Sequence, residues 1–177
     1  MVNSLINEIK GINAQAMIQS EIMKKEDTSS QATSPLRRTN RSLPIALLRA
    51  RETVMGPVRE MLAGSAVNEQ KWRVLRVLEE GGAQDQNTIA HQACLLLPSL
   101  TRILRVMEAD GLVSRLEDPA DRRRSIVTIE AAGRAILEER GDKAAALVTE
   151  LRAQYGEEKF EQLLDLLEDL QAVEMRP

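Results

Sequence analysis

Apolar residues recur at helical spacing through most of the chain from residue 42 to residue 173, in runs that turn-forming residues separate. The first run opens at Ser42-Leu43-Pro44, where serine can cap a helix and proline suits its first turn. Gly56-Pro57 lies inside this run, so a bend is expected there rather than an end. A first helix is therefore predicted over residues 42–64, and its apolar face consists of Leu47, Val54, Val58 and Met61.

Two shorter helices are predicted next. Asn68 can cap the first of them, and Gly81-Gly82 ends it. Asp85 can cap the second, which is predicted from Gln86 to Cys94. Cys94 is expected to be a small buried residue in the turn that follows. One face of the first helix consists of Lys71, Val74, Leu75 and Leu78 with Trp72 beside it, and the inward residues of the second are Ile89, Ala90 and Ala93.

A fourth helix is predicted from Ser99 to Ala109, with Pro98 in its first turn and Gly111 as its terminator. Its apolar face consists of Leu100, Ile103, Leu104 and Met107. Its opposite face carries the polar residues Ser99, Thr101, Arg102 and Arg105. The sequence thus predicts a helix that is buried on one side and cationic on the other.

The period then changes from helical to alternating. Strands are predicted at Leu112 to Leu116 and Ser125 to Ile129, with turn chemistry at Asp118 to Asp121 between them. Three consecutive arginines follow that turn, namely Arg122, Arg123 and Arg124. Two final helices are predicted from Glu130 to about Gln154 and from Glu157 to about Val173, with a break at Tyr155-Gly156. The fold class is therefore mainly α, with a small β-hairpin that has a basic tip.

The first 41 residues differ from the rest. From Lys24 to Arg41 the sequence is polar, rich in Ser and Thr, and without apolar periodicity, so residues 1–41 are predicted to be an extension that is largely a disordered linker. The cluster Arg37 to Arg41 has two interpretations, a solvated linker or an arm that enters a DNA minor groove.

Composition excludes several classes of protein. No stretch approaches the ~20 apolar residues that a membrane span requires, and the N-terminus lacks the apolar run of a secretory signal. We therefore expect a cytoplasmic protein. Cys94 is the single cysteine and His91 the single histidine, so neither an internal disulfide nor a clustered zinc site is expected. No cofactor is predicted.

The charge is unevenly distributed. The formal net charge is −3, and from Glu130 to the end acidic residues outnumber basic ones. From Pro98 to Arg124 the bases slightly outnumber the acids, and all of them are arginines, which suit forked contacts with phosphate and guanine. Arg115 is expected to be solvated or to face a phosphate. A locally basic surface on an acidic protein is compatible with DNA binding.

Two short helices joined by a tight turn and followed by a basic hairpin form a winged helix-turn-helix. The run PSLTRILRVMEADGLVSRLEDPADRRRSIVTI resembles the MarR family, in which a P-S-x-T-R helix is followed by a G-L-[IV] strand and a D-x-R wing. SLPIALLRARETVMGPVREML and EQKWRVLRVL resemble its regulators of homoprotocatechuate and related aromatic-acid degradation. The resemblance covers about residues 42–173.

The resemblance implies a homodimer whose dimerisation helices lie at 42–64 and 130–173, around a DNA-reading module at about 68–129. It implies DNA contacts through the fourth helix and the wing, with Arg123 bracing the wing beside Asp121 and Arg122 probing the minor groove. The expected DNA-binding residues are Pro98, Ser99, Thr101, Arg102, Arg105, Arg122, Arg123 and Arg124. A leucine-rich stripe at helical spacing supports dimerisation, whereas an internal helical core would explain part of it; its residues are Leu47, Leu147, Leu151, Phe160, Leu163, Leu164, Leu167 and Leu170.

A cleft between the dimerisation helices and the DNA-reading module is expected to bind a small aromatic acid. The candidate contacts are Arg49, Trp72, Arg73 and His91. Each also has a structural interpretation: Trp72 as a core anchor, His91 as a surface or core histidine, and the arginines as solvated side chains. Thiol-sensing members of the family have a cysteine near the start of the first helix, which this sequence lacks, so peroxide sensing is not expected.

The sequence therefore predicts a repressor that binds a palindromic operator and is released by an aromatic carboxylate. Three alternatives remain: a winged-helix interaction module without DNA binding, a regulator that answers a non-aromatic or redox signal, and an enzyme of aromatic metabolism. The enzyme lacks support, because no nucleophile–base pair, phosphate loop or metal cluster is recognisable.

Overall fold

A computed structural model describes residues 39–117 and 125–174. After a short 3₁₀ turn at Thr39–Arg41, the elements are α1 (Leu43–Leu62), α2 (Glu69–Gly81), β1 (Gln84–Asp85), α3 (Gln86–Gln92), α4 (Leu97–Ala109), β2 (Val113–Glu117), β3 (Ser125–Ile129), α5 (Ala131–Tyr155) and α6 (Glu157–Gln171). The first helix runs through Gly56-Pro57 without ending, as predicted. Among these helices, none is both long enough and apolar enough to cross a bilayer.

The chain divides into two compact units, residues 1–52 and residues 53–177. In the first unit, the described residues from 39 onward comprise the 3₁₀ turn and the beginning of α1, and none of those with a described side chain is buried. Leu43, Leu47 and Leu48 are exposed there. The predicted boundary between an extension and a domain at residues 41 and 42 stays a prediction.

The second unit contains a three-stranded antiparallel sheet in the order β1-β3-β2. The hairpin register pairs Val113 with Ile129 and Glu117 with Ser125. The predicted second strand is confirmed, and the first lies one residue further along than predicted. Strand β1 was not predicted from the sequence, because two residues are too short to show an alternating pattern. It forms only where Gln84 and Asp85 pair with β3.

The hydrophobic core lies between α2, α3, α4 and the sheet. The inward faces predicted for α3 and α4 are confirmed, with Ile103 half-buried at the margin. The largest fully buried side chains are Val74, Leu75, Leu78, Ile89, Leu100, Leu104, Met107, Val113 and Val127. Burial of such side chains is the main favourable contribution to folding.

Local capping chemistry marks both ends of α2 and the start of α3. The Asn68 side chain accepts a hydrogen bond from the Lys71 backbone N–H (3.0 Å). The Asp85 carboxylate accepts bonds from two backbone N–H groups of the first turn of α3. Gly82, with φ of 71°, ends α2 in a left-handed conformation that glycine adopts without strain. These predicted helix ends are confirmed.

The prediction that Cys94 is buried is wrong. Its side chain is exposed, and its backbone has a φ of 50°, in the left-handed region. This conformation turns the chain sharply between α3 and α4, so that Ala93 on one side is buried and Leu95 on the other packs partly against the core. The inward positions are thus taken by the two neighbours of Cys94.

Candidate nucleic-acid interface and ligand cavity

The outer face of α4 is polar and cationic. Pro98, Arg102 and Arg105 are exposed, and Ser99 and Thr101 are half-buried. The Thr101 hydroxyl donates to the Leu97 carbonyl (3.0 Å), with the Gln86 side-chain oxygen of α3 also within reach (3.4 Å). Within the described parts of the chain, Arg102 and Arg105 form no hydrogen bond or ion pair. Their guanidinium groups are therefore available for an external anion.

The inner face holds α4 in place. Leu100, Leu104 and Met107 are fully buried, and the Leu112 N–H donates to the Met107 carbonyl (2.8 Å) at the end of the helix. Because a buried leucine touches many neighbours, these side chains leave α4 little freedom to rotate about its axis.

An ion pair links α4 to the hairpin. Arg115 on β2 donates from Nε (2.8 Å) and from Nη2 to the same Glu108 carboxylate oxygen on α4. This hydrogen bonding lowers the pKa of Glu108 below its ordinary value. Arg115 was predicted to be solvated or to face a phosphate. That prediction is wrong, because strand β2 lies beside α4 and brings Glu108 within reach.

The turn between α3 and α4 is held from α2. Arg73 donates from Nη1 to the Ala93 carbonyl (2.6 Å) and to the Cys94 carbonyl (3.3 Å). Lys71 forms an ion pair with Asp110 at the far end of α4 (2.8 Å). Two basic residues of α2 thus fix both ends of the segment that carries the cationic face.

The hairpin tip lies outside the described residues. Arg122, Arg123 and Arg124, together with Asp121, belong to the range 118–124, so their predicted roles stay predictions. The strands on either side of this range are described, and Leu116 near the tip is 70% exposed.

A cavity of about 640 Å³ lies between the second half of α1, helix α2 and helix α5. Trp72, which is only 8% exposed, is both a member of the core and part of the cavity wall. Trp72 is therefore a core residue that also lines a cavity. The wall is mainly apolar, and its aliphatic side chains are Val54, Pro57, Val58, Met61, Ala144, Ala145, Leu147, Val148 and Leu151.

Arg76 is the one basic residue among the described residues that line this cavity, and it was not predicted from the sequence as a ligand contact. Its Nη2 lies 2.5 Å from a carboxylate oxygen of Glu80, and both side chains are exposed. The signal that could have found it is its spacing: residues four apart share a helix face, so Arg76 follows Trp72 on one side of α2. Glu60 and Glu150 also line the cavity.

The other candidate ligand contacts lie elsewhere. Arg73 is occupied by the turn before α4, and neither it nor His91, which is exposed, lines the cavity. Arg49 belongs to the first unit, where it is exposed. Of the four predicted contacts, the structure places Trp72 in the wall of the cavity.

Several of the predicted dimerisation residues are exposed apolar side chains. Helix α6 has no buried residue, and Leu163, Leu164 and Leu170 are exposed, whereas Leu167 is half-buried. Phe160 has an internal partner: the Arg152 guanidinium lies 4.3 Å from its ring centroid. The same guanidinium pairs with Glu161 (2.5 Å) and Glu157. Partial desolvation acts to lower the pKa of Arg152, but the two carboxylates together outweigh it and raise that pKa above its ordinary value.

Known proteins are similar to this chain in sequence and in fold. Residues 67–125 match the model of the MarR family. The homoprotocatechuate degradative operon repressor of Escherichia coli is 39% identical over 132 residues, which cover 75% of this chain and 89% of that protein. The crystal structure of NadR in complex with 4-hydroxyphenylacetate is 37% identical, with a TM-score of 0.69, over 80% of this chain and all of that one.

A third likeness concerns a DNA complex. The transcriptional repressor CouR, bound to a 23-mer DNA duplex, is 27% identical with a TM-score of 0.67, over 78% of this chain and 99% of that one. These similarities, together with the helix-turn-helix and hairpin described above, confirm the predicted fold class and the resemblance. The chain therefore belongs to the MarR family of transcriptional regulators.

Proposed function

We propose that this protein is a homodimeric repressor that binds a palindromic operator and is released from it by a small aromatic carboxylate. The observation that carries the proposal is the outer face of α4, where Arg102 and Arg105 are exposed and without partners among the described residues, while the inner face is locked in the core. CouR, a relative of similar fold, is a transcriptional repressor whose structure is bound to a DNA duplex.

The α4 face suits the major groove. Arginine can form a forked pair with guanine or a phosphate, and the short Ser99 and Thr101 side chains allow the helix to approach closely. The wing arginines Arg122 and Arg124 would enter the adjacent minor groove, where a narrow groove concentrates negative potential, and Arg123 would brace the wing.

A homodimer follows from the uncovered leucines. The exposed stripe on α6 would be buried by a second copy, since large apolar patches on soluble proteins mark contact surfaces. A twofold dimer presents two α4 helices to DNA, so its operator should be palindromic with half-sites about 34–36 Å apart.

The cavity suits an aromatic acid. Trp72 offers an aromatic wall, the aliphatic side chains exclude water, and Arg76 can pair with a carboxylate. In this proposal the carboxylate partner is Arg76, rather than Arg49, the first choice from the sequence, or Arg73. A relative, NadR, has been crystallised in complex with 4-hydroxyphenylacetate. A ligand that prefers a DNA-incompetent arrangement by about 1.4 kcal/mol lowers operator affinity tenfold.

DNA binding is tested with duplexes that the purified protein enriches from a random-sequence library. Arg102→Ala and Arg105→Ala should each weaken binding, by about 1–3 kcal/mol where a base is contacted. A phosphate contact should instead lower the slope of log affinity against log salt by about 1. Lys159→Ala, which removes one exposed charge from α6, is the matched control and should bind normally. An unselective wild type, or two arginine variants that bind like the control, would refute the proposal.

Ligand binding is tested by calorimetry with 4-hydroxyphenylacetate and its neutral amide. The acid should bind more tightly than the amide to the wild-type protein, because only the acid can pair with Arg76. Arg76→Gln should abolish this preference and also abolish release from the operator by the acid. If Arg76→Gln leaves the preference intact, the cavity is not the carboxylate site.

A further inference from the structure

Leu96, the residue that directly precedes α4, combines two features. It occupies the N-cap position, with extended dihedrals (φ −70°, ψ 136°), yet its side chain offers no capping hydrogen bond. That side chain is also 77% exposed, the highest value among the exposed large apolar residues of the described chain. Serine, threonine, aspartate or asparagine would stabilise the helix at this position.

Within the described residues, Leu96 is not among the apolar side chains that form the core or pack against it. A single exposed leucine is ordinary on a protein surface, but this one also stands where a capping side chain would stabilise the helix. The other two helices of this module have side-chain caps: Asn68 caps α2 and Asp85 caps α3. Conflicts between a local rule and the residue present concentrate at functional sites.

The position of Leu96 indicates which kind of partner it contacts. Leu96 directly precedes the helix whose outer face carries Arg102 and Arg105, and in helix-turn-helix proteins the N-terminal residues of this helix contact base edges. In the major groove the apolar feature of a base edge is the 5-methyl group of thymine. Continuity with a cationic face favours DNA over a protein partner.

We infer that Leu96 is a specificity residue that contacts a thymine methyl group in each operator half-site. This inference rests on the proposed DNA-binding function. In this inference the N-terminus of α4 contacts an apolar group of the bases, and the following turns, which carry the arginines, make the polar contacts. The exchange of a helix cap for an apolar side chain then has a functional explanation.

The test uses the duplex enriched by the wild-type protein and replaces each thymine of a half-site in turn by deoxyuridine, which removes only the methyl group. At one position or more, deoxyuridine should weaken wild-type binding about fourfold, as expected for one buried carbon. Leu96→Ser should bind the thymine duplex about as weakly and be insensitive to that replacement. Leu96→Met should keep the sensitivity, because it keeps an apolar side chain.

Stability provides a second readout, which a structural role would move in the opposite direction. Leu96→Ser restores a capping hydroxyl, so its Tm should rise by about 2–4 °C while its DNA affinity falls. Cys94→Ser, at an exposed position of the same turn, is the control and should leave methyl discrimination unchanged.

The outcomes separate the two proposals. If no duplex is enriched, DNA binding fails and the inference falls with it. If the wild type binds but deoxyuridine has no effect, or Leu96→Ser retains full sensitivity, DNA binding stands and only the inference is overturned. A Leu96→Ser variant with an altered sedimentation mass and unaltered methyl discrimination would assign the leucine to a protein contact and would also overturn it.

Discussion

Replacing Gly133 by alanine is expected to destabilise the fold by about 2 kcal/mol, although alanine is the better helix former. Gly133 is buried in the first turns of α5. A Cβ at this position would lie 2.5 Å from the Leu112 carbonyl oxygen, 2.9 Å from Ile129 Cγ1 and 3.0 Å from Leu75 Cδ2. The Leu112 carbonyl accepts the Glu130 N–H (3.0 Å), and Ile129 and Leu75 are buried, so none of the three neighbours can move away freely.

The magnitude follows from two opposing contributions. Overpacking a core by one carbon costs about 1–3 kcal/mol, and a contact with backbone places this site near the upper end. The gain in helix propensity from glycine to alanine offsets about 1 kcal/mol. The difference corresponds to a fall in Tm of about 4–8 °C for a chain of this size.

Gly141→Ala on the same helix is the matched control, because an added Cβ there would have no neighbour within 4 Å. Only the propensity contribution remains, so this variant should be more stable than the wild type by up to about 1 kcal/mol. Denaturant unfolding followed by circular dichroism, at one fixed protein concentration, measures both. A Gly133→Ala protein at least as stable as the wild type, or a fall of equal size for both variants, would refute this reasoning.

Three further predictions concern α4, the turn before it and α6. Arg73→Met should lower the free energy of unfolding by about 1–3 kcal/mol, because it leaves the Ala93 carbonyl without its charged donor. Calorimetry should show that the affinity of this variant for 4-hydroxyphenylacetate is unchanged. A loss of ligand affinity at unchanged stability would instead assign Arg73 to the ligand site. Glu108→Gln should flatten the dependence of Tm on pH in the acid range. The pKa of the Glu108 carboxyl is lowered in the folded state, so this group stabilises the protein above the pKa that it has in the unfolded chain and ceases to do so as the pH falls through its folded-state pKa. Wild-type and variant curves of Tm against pH that run parallel below about pH 5 would contradict this. Leu164→Asp should shift sedimentation toward the monomer and weaken operator binding, since a charge within the exposed leucine stripe opposes burial of that stripe in a dimer. A variant that sediments like the wild type would exclude Leu164 from the interface.

The sequence by itself determined the kinds of element, most of their ends and the family. Helical spacing of apolar residues, an asparagine at position 68 and an aspartate at position 85 act within one or two turns, so a local reading captures them. The buried and outer faces of α4 were predictable for the same reason, because a helix of known period turns each residue to a known side.

Only the tertiary structure decided which long side chains are free and which are occupied. Arg73 and Arg76 are three residues apart on one helix, yet one binds the turn before α4 and the other lines the cavity. Arg115 finds Glu108 only because β2 lies beside α4, and β1 exists only as a partner of β3. Such contacts depend on where distant segments meet, whereas periodicity and capping report each segment alone. The long, flexible arginine side chains, with several donors each, are for this reason the residues whose roles the sequence left open.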